Sequence, residues 1–334
     1  MSAALELRAA GPAVSLQDAG RFGLMRFGVT AAGPMDPLAF ATANRAVGAP
    51  ADAAAIEISL GGLEVTSVGA TLPVALAGGA FDVSLDGIAL PPAVRLALEP
   101  GARLRVRAGA AGAWCYLAVG GRIDVAPMLG SVATHVRSGL GGLGGRALAA
   151  GDLLPVRDPA PVEPGAAALA APWLERPGEL IRVILGPQAD YFAADQIAAL
   201  CDGPWTVSPR SDRMAYILDG PRLGHARGFN IVSDGIVMGA IQVPGDGQPI
   251  VLMADRQVTG GYPKIATVIG PDLGRLAQNR PSARVRFAVV TIADAVAARR
   301  AERTALQNGP LIQAALSSER LLGVNLIGGV TSGR

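Results

Sequence analysis

The stretch ADRQVTGGYPKIATVIG, residues 254–270, contains Lys264, the one lysine of a chain that otherwise carries 28 arginines. Arginine is a rigid, permanently charged fork. Lysine is a compact point charge that can lose its proton when desolvated, so it can act as a base, a nucleophile or a charge anchor. An ordinary surface ion pair would accept arginine in a chain this biased, so Lys264 is a candidate for chemistry. The wider segment 233–270 places Gln242, Gln248, Asp255, Arg256, Gln257, Thr259 and Tyr262 around short apolar runs and tight Gly or Pro turns. Polar side chains entering and leaving buried strands are costly unless they line a cavity or pair with one another, which predicts a lined pocket. For Asp255 and Arg256 the plainer alternative is a mutual pair that stabilises a turn.

Three other segments concentrate polar residues and glycines. QDAGRFGLMRFGVTAAGPMD (17–36) offers a second candidate cluster of Gln17, Asp18, Arg21 and Asp36. GSVATHVRSGLGGLGGRALAAGD (130–152) has glycines that could line a concavity with backbone N–H groups suited to an anion or carboxylate; a surface loop is the alternative. SPRSDRMAYILDGPRL (208–223) puts Ser211, Asp212 and Arg213 at the mouth of a strand, where they could equally form a capped turn with a surface ion pair. No phosphate-binding G-x-x-x-x-G-K-[ST] loop occurs, and no G-x-G-x-x-G opens a βαβ unit, which disfavours a nucleotide-binding fold of either type. Cys115, Cys201, His135 and His225 are the only cysteines and histidines, and their spacing argues against a zinc site or a Cys-His nucleophile.

The elements that must position these residues read as mainly β. Apolar runs of four to eight residues recur in AAIEISLGGLEVTSV, TLPVALAGGAFDVSLDGIAL, ARLRVRA, WCYLAVGG, LIRVILG, QPIVLMADRQ, KIATVIG and ARVRFAVVTI. Their turn signals suit barrels or sandwiches. Helices are predicted over 35–48, 189–203, 271–278 and 291–307, the first with Pro37 near its start and Gly48 just beyond its end. At 334 residues two domains are expected, each with its own core. Pro/Ala-rich composition places the boundary near 155–177, in a segment ill suited to a ladder. The expected division is 1–155, a linker at 156–178, a second domain at 179–308 and a tail at 309–334. An echo crosses it, PGARLRVR (100–107) against PSARVRFA (281–288).

No apolar run reaches the about 18 residues of a membrane span, and no export or organelle signal is visible, so the cytoplasm is the expected location. A net charge of +2, without a basic run interleaved with aromatics, gives no footprint for nucleic acid.

QDAGRFG, GVTAAGPMD, GSVAT, GGLGGRAL, SDRMAYILDG and GAIQVPGDGQPIVLMADRQVTGGYPKIATV, in that order over residues 10–295, resemble the biotin-dependent carboxyltransferase-like family. That family includes the C subunit of bacterial 5-oxoprolinase, the Kip antagonist and the carboxyltransferase region of urea amidolyase. The resemblance implies two tandem cyclophilin-like β-barrel domains with a few short helices, and a partner chain, the B subunit or Kip-inhibitor homologue, joined in 5-oxoprolinase by an A subunit. Where the family more often has Asn-Arg-Met-Gly-Tyr-Arg, this chain has Asp212, Arg213, Met214, Ala215, Tyr216 and Ile217.

The leading expectation is a subunit of ATP-dependent 5-oxoprolinase acting on a small cyclic amide. Lys264 would meet developing phosphate charge, and Asp255 would act as acid/base or orienting group. Gln242, Gln257, Tyr262, Arg213 and Arg256 would contact substrate. ATP would bind somewhere in the complex, and no metal site is expected. The alternatives are the carboxyltransferase half of a biotin-dependent carboxylase, with biotin on another chain because Lys264 lacks a preceding Met, and a non-catalytic regulator that binds a kinase-inhibitor homologue.

Overall fold

The computed structural model of the chain describes residues 3–176, 178–309 and 311–312. The protein is mainly β, as the strand-length runs predict, and the described residues include four helices. These are α1 (Pro37–Ala46), α2 (Ala194–Asp202), α3 (Gly270–Ala277) and α4 (Ile292–Asn308), one in each expected segment. At the start of α1 the Asp36 carboxylate accepts the Ala39 N–H at 3.2 Å and Pro37 occupies the first turn. At the start of α4, Thr291 and Asp294 form a capping box.

The first half folds into two seven-stranded sheets, the second of which takes its last strand, Leu311–Ile312, from beyond the second half's helices. One is built around Ala4–Ala10 paired with Leu63–Val68, the other around Cys115–Val119 paired with Leu72–Gly78. The second half is a closed seven-stranded barrel, sealed by parallel pairing of Leu180–Leu185 with Arg284–Val289. The Pro/Ala-rich segment does enter the ladder: Ala166–Ala170 pairs with Val94–Leu98. Those five residues contain no proline, and Pro164 and Pro172 lie just outside them, where a missing N–H costs nothing.

The sequence echo corresponds to a repeated turn. Gly101 and Ser282 both have left-handed φ, at 85° and 69°. Ala102 N–H donates to Glu99 O at 3.1 Å and Ala283 N–H to Arg280 O at 3.0 Å, each just before a strand. Pro at the second position and a left-handed residue at the third are the signature of a type II turn.

The largest core cluster is shared between the halves, joining Met35, Phe40 and Tyr116 to Trp205, Val251 and Ile265. A second core lies wholly in the first half. Polar bonds also cross the junction. The Gln278 side chain accepts from Ala113 N–H at 2.9 Å and donates to Asp36 Oδ2 at 3.0 Å, and Arg280 donates to the carbonyls of Gly112 and Gly109. Among the described residues no helix is long and apolar enough to cross a membrane.

Candidate functional site

Arg213 stands where the halves meet. From the turn before the strand Ala215–Asp219 its guanidinium grips Asp255 through two bonds, Nε to Oδ2 at 2.9 Å and Nη2 to Oδ1 at 2.8 Å. The same group donates to Glu57 Oε1 and to Gly33 O in the first half. Glu57 is fully buried on the strand Ala55–Ile58 and also accepts the Tyr116 hydroxyl and the Met35 N–H, each at 2.8 Å. Burial pushes the Glu57 carboxyl above its usual range, with Arg213 opposing. For Arg213 burial works against the charge, but Glu57 and Asp255 outweigh it and the group stays cationic. Asp212, the departure from the family pattern, accepts the N–H groups of Met214 and Ala215 and so shapes the turn that delivers Arg213.

The two glycine-bearing segments of the first half come together beside this junction. Asp18 accepts from Ser131 Oγ at 2.5 Å and from Val132 N–H at 2.7 Å, and Gln17 donates to Thr134 O at 3.1 Å. Arg21 is buried against the carbonyls of Met128, Ser131 and Ala133, the last at 2.6 Å. His135 at the end of this loop sits with Nε2 3.3 Å from the backbone oxygen of Asp255. The glycines here provide close packing. A Cβ on Gly141 would lie 2.1 Å from Ala133 O and 2.8 Å from Arg21 Nη2, and the N–H groups of Gly139, Gly142 and Gly145 bond within the loop or to Val132. The expected backbone anion nest is therefore filled by the loop's own carbonyls, and the outward-facing donors are side chains.

Lys264 opens the strand Lys264–Val268, in register with Gln242. Its side chain is buried, and Nζ bonds the half-exposed Asp234 at 2.9 Å. That hydrogen bond, the Gly235 N–H and the Lys264 charge hold the Asp234 carboxyl below its usual range. Gln188 bridges the pair by accepting the Lys264 N–H and donating to Asp234. Gln242 is fully buried; Nε2 reaches Tyr262 O at 3.4 Å and Oε1 has no partner among the described residues. Arg256 connects the two regions, donating to Ile236 O at 3.2 Å and Met253 O at 3.3 Å.

Of the expected residues, Asp255, Arg213 and Arg256 gather at the junction with Arg21. Gln242, Tyr262 and Lys264 form a neighbouring group around Asp234. Gln257 is exposed without a hydrogen bond among the described residues. Asp36 separates from Gln17, Asp18 and Arg21, since it caps α1 and pairs with Arg176 at 2.7 Å. Sequence reasoning misses Glu57, Tyr116, His135, Gln188 and Asp234. For Glu57 a signal exists, a lone carboxylate inside the apolar run AAIEISL.

The carboxyltransferase domain family, subdomains A and B, matches residues 27–289. The C subunit of 5-oxoprolinase from Escherichia coli K12 is 38% identical over 299 residues, which cover 88% of this chain and 94% of that protein. Its namesake from Haemophilus influenzae is 34% identical over 86% of this chain and 91% of the relative. Among solved structures, K. lactis urea amidolyase superposes with a TM-score of 0.84 at 28% identity, covering 91% of this chain but 20% of that much longer one.

Proposed function

The chain belongs to the carboxyltransferase family of subdomains A and B, and from that membership we propose that it is the C subunit of an ATP-dependent 5-oxoprolinase. With partner subunits it opens the lactam of 5-oxo-L-proline to L-glutamate in the cytoplasm. The observation that carries this reading is the end-to-end relation to two proteins of that name, at 38% and 34% identity.

The chemistry transfers the γ-phosphoryl group from ATP to the lactam oxygen and releases ADP; water then attacks the activated carbon, the C–N bond breaks to leave an acyl phosphate, and a second water hydrolyses that to the carboxylate and phosphate. This chain contributes charge and positioning. Lys264 Nζ, tethered among the described residues only to the half-exposed Asp234, can turn to the charge that develops on the activated oxygen. Asp255, fixed by the Arg213 fork, orients the attacking water and takes its proton, and Arg213 is a positioning residue because its three donor nitrogens are all engaged. The unpartnered Oε1 of Gln242 is suited to accept the lactam N–H, with Tyr262 and Gln257 at the rim. ATP is handled with a partner chain, consistent with the lack of a phosphate-loop motif here. Exposed apolar side chains flank both polar groups, Phe22, Phe27, Met128 and Val136 on one side and Val232 and Val237 on the other, and they supply a surface for the B and A subunits.

Co-expression with B- and A-subunit homologues should give glutamate release that needs both 5-oxoproline and ATP. Lys264→Ala should lower kcat at least 100-fold with the complex intact. Full turnover by that variant would remove Lys264 from the chemistry, and a requirement for biotin and bicarbonate instead of 5-oxoproline would replace this reading with the carboxyltransferase one.

A further inference from the structure

We propose that Arg21 from the first half and Arg256 from the second form a clasp beside Asp255 that binds the carboxylate of the substrate. The clasp makes the chain selective for anionic over neutral amides; the identity of the ligand, though not the clasp itself, rests on the oxoprolinase reading.

Arg21 is 2% exposed and Arg256 8%, yet neither has a carboxylate within ion-pair distance among the described residues, whereas the equally buried Arg213 has two. Their hydrogen-bond partners are backbone carbonyls, and among the described residues no carboxylate pairs directly with either charge. Burying such a cation is costly unless something else neutralises it. Polar atoms remain free at the same place. Among the described residues the Arg21 Nη1 donor and the His135 Nδ1 ring nitrogen are buried without a partner, and Arg256 Nη2 makes no bond. Geometry ties the two regions together: His135, on the loop that Arg21 anchors through Ala133 O, reaches the backbone oxygen of Asp255, the residue before Arg256, and the Asp255 charge acts on both guanidiniums. Burial lowers the Arg21 guanidinium, with Asp18 and Asp255 opposing, and brings Arg256 down to about 10, with Asp255 alone opposing.

A planar, two-oxygen anion fits this arrangement. One oxygen accepts from Arg21 Nη1 and the other from Arg256 Nη2, and the anion supplies a directly paired counter-charge. 5-Oxo-L-proline carries such a group on the carbon next to its lactam nitrogen. A carboxylate held by Arg21 and Arg256 therefore keeps the lactam within one small ring of Asp255. A neutral amide offers the clasp nothing.

The test is equilibrium binding to the full chain purified with its partner subunits. The probes are 5-oxo-L-proline, cyclopentanecarboxylate, which has the carboxylate without the lactam, and 2-pyrrolidinone, which has the lactam without the carboxylate. Both carboxylates should bind at least ten times more tightly than 2-pyrrolidinone, and Arg256→Gln should weaken them at least tenfold while leaving 2-pyrrolidinone unchanged. In turnover the same variant should raise KM at least tenfold with kcat within about threefold. Arg21→Gln should behave alike; because Arg21 also anchors the loop at 128–133, Arg256→Lys serves as the second variant, with an intermediate loss since it keeps charge but not the fork. Equal affinity for 2-pyrrolidinone and 5-oxo-L-proline, or carboxylate affinities untouched by Arg256→Gln, overturns the clasp. Carboxylate binding that fails in Arg256→Gln, in a complex that turns over no 5-oxoproline, upholds the clasp and overturns the oxoprolinase reading.

Discussion

Arg213 shows how one side chain can hold two halves together. It satisfies the buried Glu57 of the first half and the Asp255 of the second at once, so neither carboxylate is stranded. Removing it should cost about 3–5 kcal/mol, because Glu57 would remain buried without its counter-charge. Arg213→Ala should show this in chemical denaturation. Arg213→Lys should lose less but still measurably, since an ammonium cannot span three acceptors in a plane. A loss below about 1 kcal/mol for the alanine variant would mean that the network relaxes around the gap. Lys264 differs in kind. Its partner Asp234 is half exposed, so Asp234→Asn should leave the melting temperature nearly unchanged.

α1 and α3 approach each other at Asp36. On α3, Gly274 lies so near Asp36 that a Cβ there would sit 2.1 Å from Oδ1. Helix propensity alone says Gly274→Ala stabilises by about 1 kcal/mol. The contact reverses the sign, and thermal melting should show net destabilisation of at least about 1 kcal/mol. Asp272 on the same helix accepts from the Arg182 backbone N–H and, through both oxygens, from its guanidinium. Burial works against the Asp272 carboxylate, yet these bonds win and hold it below its usual range. A depressed folded-state pKa stabilises above the unfolded carboxyl value of about 3.9, and that stability disappears as pH falls through the folded value. Asp272→Ala should therefore cost about 2 kcal/mol at pH 7 and progressively less below about pH 4, with denaturant midpoints measured across that range.

Across the whole molecule, the shared core and the Gln278 and Arg280 bonds tie the halves into one packed body. Calorimetry should give a single cooperative transition, and a fragment ending near residue 176 should expose Met35, Phe40 and Tyr116 and fail to melt cooperatively. Two well-separated transitions would show that the junction contributes little.

Much of this protein is legible in its sequence. Short apolar runs and Pro, Gly and Asp punctuation located the four helices of the described residues and about half of the strands, because period and turn chemistry act over a few residues. The echo at 100–107 and 281–288 marked a real repeated turn, since a left-handed residue after proline is a local requirement. The strand Ala166–Ala170 was hidden, as a run of alanines has no period to read. The lone lysine marked the segment that carries Asp255 and Arg256 to the junction. Which residues face one another was decided only by folding. Glu57 and Arg213 are far apart in sequence, and only the closing of a barrel against two sheets brings them into one ion pair. Asp36 reads as a neighbour of Arg21 yet serves a helix start. Sequence records what each side chain can do, but the partner that uses up its hydrogen bonds, or leaves them free for a ligand, comes from the other half of the chain.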